Sequence, residues 1–247
     1  MSFEYVSKMI VEDWPMFIRG AGITLVIALT GTIIGSFIGL LIGIIRSIPL
    51  SDNRMKNIVI KIINKMLSIY IEFFRGTPMI VQAMVIYYGS ALAFDIHMNR
   101  LLAAIFIVSI NTGAYMSEIV RGGIMSIDNG QFEAAQALGM NHFQTMKNII
   151  IPQVIKNILP ATGNEFVINI KDTSVLNVIG VTELFFQTKS IAGNNFRFFE
   201  AFFIASIIYF LLTFTITRIL RNIEKRIDKP IRYNRVKSQI EIDVKAA

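Results

Sequence analysis

The strongest constraint on this chain is a run of 26 residues, 20–45, that contains no ionisable side chain. A helix of about 20 apolar residues is long enough to cross the hydrocarbon core of a membrane. The run is longer than the apolar region of a signal peptide, and Glu12 and Asp13 precede it where a signal peptide would be basic. We therefore predict a transmembrane helix that is retained in the mature chain.

Four further regions are long and apolar enough to cross a membrane: 66–94, 100–120, 152–180 and 199–219. Charged residues make up 17% of the chain, against about 25% in a soluble domain, which excludes a water-soluble enzyme. We predict an all-α membrane protein with five transmembrane helices in one domain over 20–220. Residues 1–19, with Tyr5 and Trp14, are expected to lie at the membrane interface, and a basic tail follows over 221–247.

The distribution of Lys and Arg predicts the orientation in the membrane. Seventeen of the 24 lie in the 46–65 and 121–156 connections and from Arg218 onward, whereas five lie in the segments on the opposite side. Because basic residues that flank membrane spans are retained in the cytoplasm, we predict an extracytoplasmic N-terminus and a cytoplasmic C-terminus.

Several kinds of chemistry find no support in the sequence. Cysteine is absent, which excludes disulfides and thiolate ligands, and His97 and His142 are predicted on opposite sides of the membrane, so no metal site is expected. The aromatic residues fall beside the spans, which indicates lipid contact rather than nucleic-acid binding. No G-x-x-x-x-G-K-[ST] phosphate loop occurs in the sequence, so ATP hydrolysis would need a partner.

Four glycines of the first predicted span recur at every fourth residue and share one helical face: Gly31, Gly35, Gly39 and Gly43. In lipid no hydrophobic force brings helices together, and small-residue faces promote association by allowing close packing. We predict a helix-packing face. A surface along which helices slide is the less favoured interpretation.

The connection over 121–151 contains the most informative segment, GQFEAAQALGMNHFQTMKNIIIPQ at 130–153. Glu133, Ala134 and Ala135 begin a helix-forming stretch, Gly139 interrupts it, and Pro152 closes the segment at the membrane edge. A slim helix with small side chains is suited to insert into a groove on another protein. The alternative is an ordinary amphipathic loop helix.

These residues resemble the EAA loop of ABC-importer permeases, E-A-A-x3-G-x9-I-x-L-P, with Ile151 in place of the usual leucine. Four other segments resemble the polar amino-acid permeases of that superfamily, in the family's order. They are GAGITLVIALTGTIIGSFIGLLIGIIR in the first span, EFFRGTPMIVQ entering the second, AYMSEIVRGGI after the third and LPATGNEFVINIKDTSVLNVIGVTEL in the fourth. The resemblance covers residues 20–220.

The resemblance implies a type I importer domain in the bacterial plasma membrane, which imports polar or charged amino acids as a homodimer or heterodimer. It also implies two copies of a cytosolic ATPase, on which ATP and Mg would bind, and an extracytoplasmic amino-acid-binding protein. This chain itself would bind no cofactor. Under the resemblance, Glu133, Ala134, Ala135 and Leu138 form the first part of a coupling helix, and Gly139 permits the turn to a second short helix.

Ionisable residues at membrane depth mark a polar pathway or a partner contact. Six are expected there: Glu72, Arg75, Glu118, Glu165, Lys171 and Asp172. The spacing of Glu72 and Arg75 permits an ion pair on one helix face, and Lys171 and Asp172 can pair locally. Neutralisation of charge within the bundle is the alternative to a functional role.

A zwitterionic solute needs donors for its carboxylate and acceptors for its ammonium group in a largely dry site. The polar run at 171–174 interrupts an apolar span, which is where transporters tend to place substrate sites. The predicted residues of the translocation path are Lys171, Asp172, Thr173 and Ser174, then Asn111 and Tyr115, with Glu72 and Arg75 as further candidates.

Two functions of different classes remain open at this point. The first is an ATP-driven import permease, and the second is an ion-coupled secondary transporter or channel that uses the intramembrane charges. The EAA-like segment favours the first. Secondary transporters typically have more spans or an inverted repeat, and five predicted spans provide neither.

Overall fold

The computed structural model describes residues 3–49 and 53–227, and within these ranges all regular structure is helical. The α-helices are α1 (Phe3–Arg46), α2 (Arg54–Gly76), α3 (Met79–Phe94), α4 (Arg100–Met125), α5 (Asn129–Ala137), α6 (His142–Thr145), α7 (Ile151–Asp172), α8 (Leu184–Asn195) and α9 (Phe198–Ile227). A π-helical turn, Met146–Ile150, leads into α7, and a 3-10 helix, Thr173–Ile179, continues it. The predicted all-α class is confirmed, whereas most of the predicted basic tail, from residue 228 onward, lies outside the described residues.

Three helices are long and apolar enough to cross a membrane by themselves within the described ranges: α1, α4 and α9. The α1 helix is continuous from Phe3 to Arg46 and contains Pro15, so no helix boundary separates residues 3–19 from the apolar run. At 1.5 Å per residue its 44 residues extend about 66 Å. The helix therefore reaches well beyond the thickness of the hydrocarbon core.

The predicted span 66–94 is not one helix, which corrects the sequence analysis. The chain bends by 112° between α2 and α3, and only the two helices together have the length and apolarity of a span. Pro78 lacks a backbone N–H and disfavours helical geometry in the residue before it. Thr77 accordingly adopts an extended conformation between the two helices.

The predicted span 152–180 corresponds to α7 and the 3-10 helix that follows it. Polar residues are frequent in its second half, and α7 alone is not among the helices with the apolarity of a span. The number of five spans and the orientation of the termini are therefore not confirmed by the helices themselves.

The glycine face of α1 lies against α4. A Cβ atom added at any of the four glycines would come within 2.6 Å of an α4 side chain. The facing α4 residues are Val108, Thr112, Met116 and Val120. Because the two repeats advance by four residues together, the helices are in close contact over more than three turns.

Buried apolar clusters hold the other helices around the α1/α4 pair. Ile27, Val108 and Leu176 belong to a cluster that joins α1, α4 and the 3-10 helix. Another joins α4 to the π-helical turn and α7, and a third joins α1 to α8 and α9. The polar second half of α7 is thereby held beside α4 and the break between α2 and α3.

Candidate functional site: a polar cavity and an exposed loop helix

A cavity of about 250 Å³ lies between the start of α3, the middle of α4 and the second half of α7. Its lining residues are Thr77, Pro78, Met79, Asn111, Tyr115, Glu165, Ile168, Asn169 and Asp172. The break between α2 and α3 thus forms one wall. Irregular backbone at membrane depth is tolerated where it lines a cavity.

The side chain of Gln82 stabilises this wall. It is 3% exposed, and its Nε2 donates to the backbone oxygens of Phe74 and Thr77, each at 2.9 Å, and lies 2.9 Å from Thr77 Oγ1. Its Oε1 accepts a 2.9 Å hydrogen bond from Asn111 Nδ2. Carbonyls that lose their helical partners at the break are therefore satisfied, as a low-dielectric interior requires, and the break is tied to α4.

The side chain of Asn169 ties the third wall to both scaffold helices. Its Nδ2 donates to Thr32 Oγ1 of α1 at 2.8 Å and to Thr112 Oγ1 of α4 at 2.9 Å. All three residues are at most 4% exposed. The hydrogen bonds use both amide protons of Asn169 within the protein, so this residue positions α7 beside the cavity.

Two carboxylates, Glu165 and Asp172, line the cavity from α7. They are seven residues apart and therefore lie on one face of the helix, two turns apart. Neither forms an ion pair within the part of the chain that the structure describes. Nearby, the guanidinium of Arg75 lies 5.5 Å from the ring centroid of Tyr115, which also lines the cavity.

The predicted pathway residues fall into two groups. Asp172, Asn111 and Tyr115 line the cavity, whereas Glu72, Arg75, Lys171, Thr173 and Ser174 are not among its lining residues. Thr173 is completely buried, and its hydroxyl donates to the backbone oxygen of Ile170 at 3.0 Å. It therefore stabilises the start of the 3-10 helix.

Neither of the ion pairs that the spacing permits is formed among the described residues. Arg75 interacts with the ring of Tyr115 on α4 instead of with Glu72 on its own helix. Lys171 and Asp172 are adjacent, and successive residues of a helix point about 100° apart. Both residues are exposed.

Glu118 does have cationic partners. Its carboxylate accepts from Arg46 at the end of α1 and, at 2.8 Å, from Nη2 of Arg121 one turn further along α4. Charge neutralisation within the bundle thus accounts for this residue. It ties the end of α1 to α4.

Sequence reasoning did not select four of the lining residues: Thr77, Pro78, Met79 and Ile168. The signal for the first three was the Gly-Thr-Pro run at 76–78, because a proline at membrane depth indicates a broken helix. Glu165, one of the ionisable residues expected at membrane depth, and Asn169, a polar residue of the predicted fourth span, are likewise absent from the predicted pathway residues. Ile168 carries no local signal.

The EAA-like segment forms the short helix α5 and a turn. Asp128 precedes the helix, and its side chain accepts from the backbone N–H of Gly130 at 2.7 Å. Ala135 is buried, whereas Glu133 and Ala134 are exposed. One side of α5 thus packs on the protein, and the side that carries Glu133 is free.

After α5 the chain turns at Gly139, whose φ of +74° lies in the left-handed region. Asn141 and Gln144 then form a capping box at the start of α6. Leu138 and Phe143 flank the turn and are 79% and 73% exposed. Exposed apolar side chains on both sides of a turn are typical of a protein-binding surface.

The chain matches a family described as binding-protein-dependent transport system inner membrane component, over residues 57–229. It is 40% identical over 166 residues to a glutamine transport system permease protein of Escherichia coli (strain K12), and the match covers 67% of this chain and 76% of that protein. It is 35% identical over 227 residues to a probable amino-acid permease protein of Bacillus subtilis (strain 168), with 91% and 97% covered.

Among solved structures, the chain is similar to an amino acid ABC transporter crystallised with histidines, with a TM-score of 0.75 and 38% identity. The match covers 88% of this chain and 96% of that chain. It is also similar to the methionine ABC transporter MetNI in an inward-facing conformation, with a TM-score of 0.71, 16% identity, and 86% and 96% covered. The second likeness concerns the fold alone.

Proposed function

The chain belongs to the family of inner-membrane components of binding-protein-dependent transport systems, and we propose that it is the permease through which an ATP-driven importer carries polar or charged amino acids. The resemblance predicted from the EAA-like loop is confirmed at the level of the family. Members of the family are transport subunits of the bacterial plasma membrane, not the enzymes that hydrolyse ATP.

The cavity between the α2–α3 break and α7 is the observation that supports amino acids as the solute. Glu165, Asp172 and the side-chain oxygen of Asn111 offer acceptors for an ammonium group. Arg75, against the ring of Tyr115, offers a cation for a carboxylate. A small zwitterion with a polar side chain is the solute that uses both kinds of group.

In the proposed topology, α2 and α3 together form the second, broken span, and α7 with its 3-10 helix forms the fourth. The N-terminus is extracytoplasmic, and α5 and α6 lie in the cytoplasm, as the distribution of Lys and Arg indicates. The break and the end of α7 then meet near the middle of the membrane. Transporters place substrate sites at such interruptions of membrane helices.

The loop helix α5 is the proposed contact with a cytosolic ATPase, on which ATP and Mg bind. Glu133 supplies a polar contact, and Leu138 and Phe143 supply apolar area on both sides of the turn. Two ATPase copies, a second permease chain and an extracytoplasmic amino-acid-binding protein complete the proposed assembly. The two relatives named as amino-acid and glutamine permeases support this class of substrate.

Purification of the tagged chain in mild detergent from its own host tests the proposal. We expect an ATPase to co-purify, and we expect one group of amino acids, added with the host's binding protein, to stimulate ATP hydrolysis. A chain that purifies without an ATPase and transports solute in response to an ion gradient would contradict the proposal and favour a secondary transporter.

A further inference from the structure

The end of α9 carries three cations that lie close together on one side of the helix. Arg218, Arg221 and Lys225 are all exposed. At 100° per residue they lie within a sector of about 60°. None of the three cations forms an ion pair within residues 3–49 and 53–227.

The same side of α9 is aromatic in the preceding turns. Phe210 and Phe214 are 63% and 45% exposed, and their ring centroids are 5.7 Å apart. The guanidinium of Arg218 lies 4.9 Å from the centroid of the Phe214 ring. The surface therefore changes from apolar to cationic along the helix, over about 22 Å from Phe210 to Lys225.

A groove opens beside the cations, between α9 and the first half of α7. Its volume is about 170 Å³, and its lining residues are Pro160, Gly163, Asn164, Val167, Thr217, Leu220, Arg221 and Glu224. Gly163 lets Leu220 pack closely, since a Cβ atom added there would lie 3.2 Å from a methyl group of Leu220. Asn164 and Arg221 offer hydrogen-bond donors inside the groove, whereas the hydroxyl of Thr217 donates to the backbone oxygen of Thr213 at 2.7 Å. Glu224 offers a carboxylate.

We propose that this groove and the cationic side of α9 bind the phosphate of an anionic phospholipid. The headgroup lies against Arg221, Arg218 and Lys225, and the acyl chains lie along Phe214 and Phe210. A phospholipid has the same order of apolar and charged parts as this surface. Its charge is complementary to the three cations, which have no ion-pair partner among the described residues. The assignment to the inner leaflet rests on the proposed orientation, whereas phosphate binding does not.

The position of the cations also distinguishes this site from a simple orientation signal. Retention in the cytoplasm depends on the number of basic residues near a span and not on the side of the helix that carries them. Arg218, Arg221 and Lys225 share one side with the exposed rings, and Arg221 also enters a groove. Basic clusters and pockets beside membrane helices on the cytoplasmic side are suited to anionic headgroups.

Native mass spectrometry of the complete purified transporter tests the proposal. The complex is incubated with equal amounts of phosphatidylglycerol and phosphatidylcholine that have the same acyl chains and are distinguished by mass. We expect the wild type to retain the anionic lipid preferentially. In the double variant R221Q/K225Q this preference should fall by roughly 30-fold, since each of the two basic residues near the headgroup contributes on the order of 1 kcal/mol.

Matched variants separate a lipid site from general effects of charge and folding. K61Q removes an exposed cation of α2 and should leave the preference unchanged. R221K retains the charge and should retain most of the binding, and E224Q should strengthen it because a carboxylate beside the phosphate is removed. The opposite signs of R221Q/K225Q and E224Q exclude loss of folding as the explanation.

Three outcomes would overturn the proposal. One is equal retention of the two lipids by the wild type, and another is an undiminished anionic preference in R221Q/K225Q. The third is loss of the permease dimer in R221Q/K225Q, which would assign this surface to a second copy of the chain. Competition by excess inorganic phosphate would identify free phosphate, rather than a lipid, as the source of the ligand. None of these readouts requires transport. A result that contradicts the lipid site would therefore leave the proposed import function untouched.

Discussion

The side-chain amide of Asn169 donates a 2.9 Å hydrogen bond to the hydroxyl of Thr112, and so joins α7 to α4 at the wall of the cavity. The second amide proton bonds Thr32 of α1 at 2.8 Å. These are contacts between helices that are distant in sequence and buried from solvent. They link the cavity to the part of the bundle that packs most closely.

Replacing Asn169 by Leu should destabilise the complex and impair uptake. The change removes both interhelical hydrogen bonds while keeping the volume of the side chain, so we expect a loss of about 1 kcal/mol at the 0.6 kcal/mol that such bonds average in membranes. Thermal unfolding of the purified complex and uptake into proteoliposomes measure the two effects. Thr112→Val removes only one of the two hydrogen bonds and should have about half the effect on stability. Equal loss of stability in the two variants would show that the hydrogen bonds are not the cause of the loss.

Replacing Gln82 by Leu should uncouple the helix break from α4. Thr77 would lose the side-chain amide donor to its carbonyl group, and Asn111 would lose one of the two acceptors of its amide. Phe74 would keep only the longer, 3.4 Å hydrogen bond from Asn111. A buried unsatisfied group costs about 1–3 kcal/mol, and we expect a lower Tm together with a raised KM for uptake. Gln136→Leu, at an exposed site on α5, is the control for the Tm of the permease. A wild-type KM in the Gln82 variant would show that the wall of the cavity does not contact the solute.

Replacing Asp172 by Ala should reduce uptake much more than it reduces assembly. Hydrogen bonds to a charged group contribute about 1.5–3 kcal/mol, so we expect uptake at low solute concentration to fall by roughly tenfold or more. Co-purification of the ATPase should be unchanged. Lys171→Ala, one residue away and outside the lining of the cavity, should have a smaller effect. Unchanged transport in the Asp172 variant would favour a structural role for the carboxylate.

Replacing Gly139 by Asp should weaken attachment of the ATPase without affecting insertion or dimerisation. The change introduces a charge between the exposed Leu138 and the start of α6, at the proposed contact. Gly139→Asn is the matched control, because Asn and Asp both tolerate the left-handed backbone and only Asp is charged. We expect retention of the ATPase to fall in the Asp variant and to persist in the Asn variant. Equal retention in both would contradict the assignment.

Replacing Gly39 by Leu should disrupt the contact of α1 with α4. A side chain at this position meets Met116, and overpacking typically costs about 1–3 kcal/mol. Gly22→Leu adds the same side chain to the same helix where no atom lies within 4 Å, and it should be tolerated. The yield of folded protein after size-exclusion chromatography compares the two. A normal yield for Gly39→Leu would show that the helices can separate.

Local patterns in the sequence indicate the all-helical class and a face of α1 that can pack closely on another helix. Small residues at every fourth position of a membrane helix indicate a face on which another helix packs closely. The α4 residues that lie against this face, Val108, Thr112, Met116 and Val120, repeat with the same period. The Gly-Thr-Pro run at 76–78 indicates the break between α2 and α3. The length of the apolar stretch 66–94, taken by itself, predicts one continuous span. The bend depends on Gln82, which lies on the helix after the break and satisfies carbonyls before it.

The lining of the cavity could be predicted only in part, because it depends on helix rotation and on long-range partners. Asp172 and Thr173 are adjacent, yet Asp172 lines the cavity and Thr173 is completely buried. Arg75 contacts Tyr115, forty residues away, and not Glu72 on its own helix. The spacing of residues within one helix cannot predict these contacts, because they depend on residues of other helices.

The glycine contact between α1 and α4 has a mechanical consequence for the walls of the cavity. Backbones that approach through four glycines in register cannot slide or rotate past each other without collision, so the two helices form a fixed frame. The segment α7, in contrast, is attached to this frame at the cavity through the amide of Asn169. A buried apolar cluster also packs α7 on α4, so any movement of α7 against the α1/α4 pair would have to break two buried hydrogen bonds as well as this packing.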